Sequence, residues 1–436
     1  MRKLKSGTVC LLICDLSPET IIFYIGLVRK RITAVMIPES TSEDKLKELI
    51  ASYSPNYIIS NFKLNSIDQK FSVLDTYKNF LIYENPLEKS DLSLQKIAIC
   101  LSTSGSTGSP KFVKLSRTNL DSNTKSIITA LNITKEQITI TTMPIHYSYG
   151  LSVLNTSLEV GAQLVVTSKQ VTSKDFWQLV IDHKVNTLSG VPYIYEQLMR
   201  MSTEFLSRTE IKKFTQAGGK LNKLVHEHFI RICSDLEISF YRMYGQTEAT
   251  ARISVLPSDE FAKYEDSIGF AIPGGKLTLI DDVGENIVMP GRIGEICYEG
   301  PNVFLGYATN RAQLVTNGTF APRLKTGDVG YFDTEGRFYV SGRLKRIAKL
   351  LGNRINLAEV EDYLLKSGFE AVCVEHDAKL NVVYPADQKS VEPKDLLLGY
   401  LKINPQLVSF KMISSIPRLT SGKVDYSSII QFLGES

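Results

Sequence analysis

Apolar and polar stretches alternate along the first half of the chain and predict strands and helices in turn. Residues 9–15 contain a short apolar run typical of a buried strand, and residues 19–30 follow a Ser-Pro start that favours a helix. Residues 33–37 predict a second strand, and residues 43–53 predict a second helix. Further β-rich runs, with helical segments between them, lie at residues 57–60, 97–101, 138–142, 164–167 and 187–191. This alternation predicts an α/β fold of mostly parallel, helix-covered sheets, whose ligands bind beyond the carboxyl ends of the strands.

The pattern changes in the last third of the chain. Between about residues 276 and 339 the β-rich runs become shorter, and tight turns at 281–284 and 333–336 join them. This predicts antiparallel hairpins or a small barrel. From about residue 347 the pattern is that of a compact α+β unit, in which Asn356 and Glu359 predict the start of a helix.

Composition and charge exclude several classes of protein. The 436 residues are 43% apolar and 22% charged, as in a globular protein with a real core. Lys and Arg number 50 and Asp and Glu 46, a balance that argues against a nucleic-acid partner or a membrane surface. The N-terminal apolar runs are too short for a signal peptide or an integral membrane segment.

Cysteine and histidine give no sign of a metal site. The six cysteines are scattered through the chain without metal-site spacing, which favours reduced thiols and a cytoplasmic location. His226 and His228 are two residues apart in a helical stretch, and we expect them on a solvated face.

A loop rich in glycine and hydroxyl residues follows the predicted strand at 97–101. Glycines let backbone N–H groups turn toward an anion, hydroxyls add donors and a lysine adds charge, so the loop suits a phosphate group. Its residue order is not that of a Walker A loop, and a flexible Ser/Gly turn is the alternative. The candidate phosphate-binding residues are Thr103, Ser104, Gly105, Ser106, Thr107, Gly108 and Lys111.

A second candidate loop follows the apolar run at 238–241. Tyr244, Gly245, Gln246, Thr247 and Glu248 supply an aromatic face, a hydroxyl and a carboxylate. These groups suit base stacking, a phosphate contact and a divalent cation. An ordinary surface loop at the end of a strand is the alternative.

Later turns carry weaker signals. Asp328 could accept hydrogen bonds from ribose hydroxyls, and Arg343 could hold ribose or phosphate; two ordinary turns are the alternative. Lys423 lies in a Ser-Gly-Lys segment near the end of the sequence, where an exposed turn is the usual structure.

In this order, the segments resemble the motifs of the adenylate-forming superfamily, which includes acyl-CoA synthetases, adenylation domains of nonribosomal peptide synthetases and firefly luciferase. The resemblance covers nearly the whole chain. Residues 217–220, with Gly218, Gly219 and Lys220, resemble the family's loop beside the adenine. Residues 144–150, with His146, resemble the loop that lines its acyl pocket.

The resemblance implies a two-step reaction that uses ATP, Mg²⁺ and either coenzyme A or a phosphopantetheine carrier. A carboxylate attacks the α-phosphate of ATP, giving an acyl-adenylate and pyrophosphate, and a pantetheine thiol then displaces AMP. Lys423, Thr247 and His146 would be catalytic, with Lys423 between the carboxylate and the α-phosphate. Glu248 would hold Mg²⁺ and Tyr244 the adenine face. Asp328 would bind the ribose.

The resemblance also implies a division into domains. An N-terminal domain at residues 1–342, trimmed at its start, would join a mobile C-terminal domain at 347–436 through a hinge at 343–346. Movement about Lys345 would replace Lys423 at the site by the loop around Gly352, whose glycine leaves room for a pantetheine arm.

Some departures and alternatives bear on specificity. Arg242 stands where the family often has Asn near the adenine amine, and Phe112 replaces a small residue. Loading of an acyl carrier protein instead of CoA, and a degenerate nucleotide-binding module, are the alternatives to an acyl-CoA synthetase. Residues 143–152 contain no Asp or Glu that could pair with an α-ammonium group, which predicts an amine-free carboxylic acid.

Overall fold

The computed structural model describes residues 2–64, 70–102, 111–201, 203–315, 323–350, 353–386, 393–401, 404–418 and 424–435. The strands in these ranges are β1 Val9–Cys14, β2 Thr33–Pro38, β3 Tyr57–Ser60, β4 Ser72–Tyr77, β5 Phe80–Glu84, β6 Ile99–Ser102, β7 Phe112–Leu115, β8 Ile138–Ile140, β9 Gln163–Val165, β10 Thr187–Gly190, β11 Lys213–Gln216, β12 Ser239–Tyr244, β13 Ser254–Leu256, β14 Ser267–Ala271, β15 Lys276–Ile280, β16 Asn286–Ile287, β17 Gly294–Glu299, β18 Tyr307–Ala308, β19 Leu324–Phe332, β20 Phe338–Arg343, β21 Ile347–Leu350, β22 Asn353–Asn356, β23 Val372–His376, β24 Lys379–Pro385 and β25 Val408–Ile413.

Helices lie between many of these strands. They are α1 Pro18–Arg29, α2 Glu43–Tyr53, α3 Arg117–Leu131, α4 Ser148–Val160, α5 Lys174–Asp182, α6 Pro192–Met199, α7 Lys223–Asp235, α8 Arg311–Val315, α9 Leu357–Lys366, α10 Pro393–Leu401 and α11 Tyr426–Glu435. Side-chain caps fix several starts: Ser17 accepts from the backbone N–H of Thr20 ahead of α1, and Ser42 accepts from Lys45 ahead of α2.

The chain divides into two compact units. The first is Met1–Glu265 with Gly269–Lys276 and Tyr298–Leu324, and the second is Asp266–Ile268 with Leu277–Cys297 and Lys325–Ser436. The hinge expected at residues 343–346 stays a prediction.

One sheet of the first unit has the strand order β18-β7-β6-β2-β1-β3-β5-β4. Its centre, β6-β2-β1-β3, is parallel, and its edges are antiparallel. All six residues of β1 are buried, because helices cover both faces of this strand. Leu12 packs in a cluster with Phe23 of α1, and Leu11 in another with Leu49 of α2. The continuous apolar run in the sequence reflects this burial on two faces.

A second sheet of the first unit positions the candidate site. Strands β12, β11, β10, β8 and β9 are neighbours in that order and run parallel. Strand β13 pairs antiparallel with β12. A cluster of buried aromatic rings, Tyr195, Phe214, Phe229 and Phe240, packs beneath these strands. The predicted α/β fold class is confirmed.

The second unit contains the antiparallel hairpins predicted from the sequence. Within it, β16, β15, β17, β19 and β20 are neighbours in that order, and the pairs β15–β16 and β19–β20 are antiparallel. Strands β21 and β22 form a hairpin, and β23, β24 and β25 form a small sheet that packs with α9. None of the helices described is long and apolar enough to cross a membrane.

The prediction for His226 is wrong. Its side chain is buried on α7, and its Nδ1 lies 2.9 Å from Nη2 of Arg242. The two-residue spacing of His226 and His228 does place them on different faces of the helix, but the face that carries His226 turns toward β12 and the ring of Phe261, with 4.5 Å between ring centroids.

Candidate active site

Three of the loops singled out in the sequence meet at one edge of the parallel sheet. Residues 141–147 follow β8, residues 217–220 follow β11 and residues 245–248 follow β12. Because these strands are parallel members of one sheet, their carboxyl ends share an edge, which is where α/β sheets bind ligands. The acyl-pocket loop, the adenine loop and the Tyr-Gly-x-Thr-Glu loop are therefore neighbours.

Two contacts join these loops directly. Oγ of Ser148, at the start of α4, lies 3.3 Å from Oγ1 of Thr247, so a hydroxyl pair connects the acyl-pocket loop to the proposed phosphate contact. A Cβ atom at Gly218 would lie 2.7 Å from Oη of Tyr147, and Gly218 has a φ of +91°. Only glycine meets both demands, so Tyr147 can approach the adenine loop closely.

Close backbone packing also holds the turn after β12. A Cβ atom at Gly245 would collide with the carbonyl group of Ala251 and lie 2.9 Å from Cα of Arg252. The N–H of Ile253 donates to the carbonyl of Tyr244 at 2.9 Å. The turn is therefore tight, and it fixes the direction in which Thr247 and Glu248 leave the strand.

Glu248 is linked to the end of the Gly-rich loop through Tyr307. The hydroxyl of Tyr307 donates to Oε1 of Glu248 at 2.8 Å. Nζ of Lys111 lies 3.4 Å from the centroid of the same ring, a cation–π contact. Burial and the negative charge of Glu248 raise the pKa of Tyr307, so its hydroxyl keeps its proton and acts as a donor.

The chemistry of Glu248 fits a magnesium ion bound with a nucleotide. Mg²⁺ in such sites takes one or two protein carboxylates, and phosphates and water supply its other ligands. In the ranges that the structure covers, no group of three or more His, Cys, Asp or Glu side chains could hold a metal without such help.

His146 lies two residues before Ser148, whose hydroxyl pairs with that of Thr247. Its Nδ1 is buried without a hydrogen-bond partner among the described residues. Burial lowers the pKa of His146 to about 4, so the imidazole is neutral at pH 7. A neutral ring with one open nitrogen can orient a polar group, and it adds no fixed positive charge.

Arg242 occupies the position where the family often has Asn. Its guanidinium donates to the carbonyl groups of Tyr264, at 3.1 Å, and of Glu265, and it lies beside His226. The side chain is 6% exposed. This departure from the family therefore serves the packing between β12 and residues 264–265.

Asp328 and Arg343, the two candidates for the ribose, lie in the second unit and contact each other. They face each other across the β19–β20 pair, and Nε of Arg343 donates to Oδ1 of Asp328 at 2.7 Å. Asp328 is buried, whereas the side chain of Arg343 is 61% exposed. The arginine therefore positions the carboxylate, while most of its own side chain is exposed.

Several sequence candidates lie outside the described residues. They are Thr103, Ser104, Gly105, Ser106, Thr107, Gly108, Gly352 and Lys423. For Lys345 the structure gives the backbone, in a 3-10 turn at Leu344–Arg346, and not the side chain. Gly219 and Lys220 are exposed beside Gly218, and the Gly219 carbonyl accepts a hydrogen bond from Gln216 at 2.8 Å. Gln246 is partly buried between Gly245 and Thr247.

Sequence reasoning missed Tyr307. It lies in a two-residue strand, β18, which pairs with β7, so that Tyr307 is opposite Val113. A strand this short has no periodic pattern, and only its pairing next to the end of the Gly-rich loop brings the tyrosine to the site.

Residues 1–308 match the model of the family described as AMP-binding enzyme. The chain belongs to this family. It is 24% identical to the oxalate–CoA ligase of Arabidopsis thaliana over 98% of the chain and 89% of that protein. It is also 26% identical to the 2-succinylbenzoate–CoA ligase of Listeria monocytogenes serotype 4b, over 80% of the chain and 72% of that ligase.

Solved structures of the same fold cover almost the whole chain. The O-succinylbenzoate coenzyme A synthetase MenE of Bacillus subtilis, in complex with the acyl-adenylate OSB-AMP, superposes with a TM-score of 0.76 at 21% identity, over 100% of this chain and 90% of MenE. ATP-bound MatB from Rhodopseudomonas palustris gives 0.76 at 20% identity, over 99% and 90%. The predictions of an adenylate-forming fold and an AMP-forming acid–thiol ligase are confirmed. The named relatives are CoA ligases, and MenE is also known in complex with ATP and a magnesium ion.

Proposed function

We propose that this family member adenylates an amine-free carboxylic acid and transfers the acyl group to the pantetheine thiol of CoA. The observation that carries the proposal is the meeting of three loops at one sheet edge, where Thr247 lies 3.3 Å from Ser148 of the acyl-pocket loop. Glu248 lies in the same turn, and its carboxylate is fixed by Tyr307. Charge-handling groups are thus adjacent to the loop expected to receive the acid.

The first half-reaction requires two anions to meet, and the proposed roles follow from that need. Thr247 donates to the α-phosphate. Lys111 lies over the ring of Tyr307 and Glu248 accepts a hydrogen bond from its hydroxyl, and the outer phosphates bind beside these two residues. Glu248 would hold Mg²⁺, which would supply positive charge to those phosphates. Lys423 bridges the incoming carboxylate and the α-phosphate, and His146 orients the acid as a neutral imidazole.

The absence of a counter-charge supports an amine-free acid. No Asp or Glu occurs at residues 143–152, so the loop that contacts the acid has no partner for an ammonium group. Oxalate and 2-succinylbenzoate, the acids in the names of two relatives, carry no amine. These names also support CoA as the thiol. The six free cysteines support a cytoplasmic location.

Pyrophosphate exchange tests the proposal. ATP and labelled pyrophosphate are incubated with the full chain and with acids of different length, alongside the proteinogenic amino acids. We expect exchange with amine-free acids and its loss in Lys423→Ala, while Lys411→Ala, a change on β25, serves as the control. The same Lys423→Ala variant is expected to convert a supplied acyl-adenylate to thioester. Exchange with amino acids alone, or normal exchange in Lys423→Ala, contradicts the assignment.

A further inference from the structure

Arg252 is a buried cation, and none of the described carboxylates forms an ion pair with it. Its residue is 2% exposed, in the turn between β12 and β13. The guanidinium lies over the ring of Tyr149, 3.9 Å from the centroid. Nε donates to the sulfur of Met243 at 3.1 Å, and Nη2 donates to Oγ of Ser152 at 3.3 Å. In the part of the chain that the structure describes, the titratable groups that act on its pKa are Tyr149 and Tyr147.

Such an environment leaves part of the cation's bonding capacity unused. A guanidinium has five N–H donors, and the hydrogen bonds described within the structure use two of them. Cation–π contact with Tyr149 offsets some of the cost of removing the charge from water. A buried charge without a counter-ion is nevertheless costly, and a carboxylate bound in bidentate fashion would restore the balance.

The position of Arg252 is fixed before any ligand binds. Its backbone carbonyl accepts from Nδ2 of both Asn123 and Asn302, each at 3.0 Å. Gly245 packs against its Cα. Anchoring of this kind reduces the freedom that the arginine would lose when it binds an anion, which is the basis of a selective site.

The charge acts on the same side chains that surround the proposed acid site. Tyr149 and Ser152 lie on α4, directly after the hydroxyl of Ser148 that pairs with Thr247. Tyr147, which faces Gly218, is also within its field: burial raises the pKa of Tyr147 to about 12, and the charge of Arg252 opposes that rise. Arg252 therefore places a buried positive charge beside the side chains of α4 that flank the proposed acid site.

We propose, on the basis of the function above, that Arg252 selects a dicarboxylic acid by binding its second carboxylate. One carboxylate of the substrate reacts beside Thr247, and the other accepts hydrogen bonds from the guanidinium of Arg252. The positive charge of Arg252 also repels an ammonium group, which agrees with the absence of Asp and Glu from residues 143–152.

The wild-type chain provides the first test. Pyrophosphate exchange is measured with diacids from oxalic to adipic acid and with the matching monoamides, which keep the length and remove one charge. We expect the best diacid to exceed its monoamide in kcat/KM by at least about 10-fold, the range for removing one partner of a buried charge pair. Equal values for every pair overturn the inference alone, whereas no exchange with any acid overturns the proposed function with it.

Variants then assign the preference to the residue. In Arg252→Met the ratio of diacid to monoamide is expected to approach one, and Arg252→Lys is expected to keep part of it. Arg242→Met removes another buried guanidinium, one that contacts carbonyl groups and His226, and it is the control for loss of stability. A ratio that falls equally in Arg242→Met, or stays high in Arg252→Met, contradicts the assignment. If Arg252→Met does not fold, the wild-type ratio and the Arg252→Lys ratio decide.

Discussion

At the scale of single residues, Tyr307 has two distinct contacts that can be separated by mutation. Nζ of Lys111 lies over its ring in a cation–π contact, and its hydroxyl donates a hydrogen bond to Glu248. The two contacts join the end of the phosphate loop to the carboxylate proposed for Mg²⁺. A hydrogen bond to a metal-binding carboxylate orients that ligand, so its loss is expected to weaken metal use without removing the ligand.

Tyr307→Phe removes the hydroxyl and keeps the ring. We expect the Mg²⁺ concentration for half-maximal pyrophosphate exchange to rise by about 10-fold, with a smaller change in the KM for ATP. Tyr307→Leu also removes the cation–π contact, and we expect it to raise both the Mg²⁺ concentration for half-maximal exchange and the KM for ATP. Titration of Mn²⁺ in the presence of ATP gives a readout independent of turnover. Identical Mg²⁺ requirements for Tyr307→Phe and the wild type would show that Glu248 needs no such support.

His146 predicts a dependence of stability on pH. Because its pKa in the folded chain is about 4, below its ordinary value near 6.5, the unfolded chain binds a proton first as pH falls. The stability that this ring contributes is present above about pH 6.5 and is lost as pH falls toward 4. In His146→Gln the loss of stability between pH 7 and pH 5 should be smaller by about 1–2 kcal/mol. Urea unfolding at both pH values measures it, and equal losses in both proteins would contradict the pKa.

At the scale of secondary-structure elements, the tight turn from β12 to β13 fixes the positions of Thr247 and Glu248 in the site. Gly245 allows the backbone of residues 251–252 to pass against it. Gly245→Ala is expected to destabilise the chain by about 1–3 kcal/mol and to reduce exchange, since the carbonyl of Ala251 must move. Gly399→Ala, in α10 with nothing within 4 Å, is the control and should be neutral or slightly stabilising. Thermal unfolding compares the two, and a Gly245→Ala variant as stable as Gly399→Ala would contradict the packing argument.

The elements also show what local sequence can predict. Helix α2 was expected at 43–53 and is observed there, because Ser42 caps it and an αL residue, Ser54, ends it. Strand β1 was predictable because burial on both faces requires a continuous apolar run. The antiparallel pairing of β7 with β6 and β18 was not predictable, because the pattern of apolar residues in a strand does not identify the strands that pair with it. For the same reason Tyr307 and the buried face of His226 required the structure.

At the scale of the whole molecule, the order of the motifs along the chain was predictable from the sequence. The segment after β6, the turn after β12 and the Asp328–Arg343 pair occur in the order that the resemblance to the family implies, and the first two lie within the residues that match the family model. Residues 277–297 group with the C-terminal part of the chain in one compact unit, whereas the division at residues 343–346 is implied by the family resemblance and stays a prediction. Long-range packing defines a unit, and local periodicity does not report it.

The proposed hinge can be tested through the two half-reactions. Lys345→Pro removes a backbone donor and restricts φ in the turn at Leu344–Arg346. We expect one half-reaction to persist and the other to fail, because the resemblance implies a different arrangement of the C-terminal part in each. Pyrophosphate exchange reports the first step, and thioester formation from a supplied acyl-adenylate reports the second. Lys345→Ala is the control for the side chain, and equal loss of both steps would place the pivot elsewhere.

The burial of the cysteines has a chemical consequence for an enzyme that makes mixed anhydrides. Five of the six thiols are buried, and the sixth, Cys233, is partly so. Burial raises the pKa of Cys233 and of Cys100 to about 12, so neither forms an appreciable amount of thiolate at neutral pH. An activated acyl group that lingers or escapes therefore meets no nucleophilic sulfur on the protein itself. Acylation of the enzyme's own cysteines would consume ATP and modify the protein. The packing that buries these thiols suppresses that side reaction.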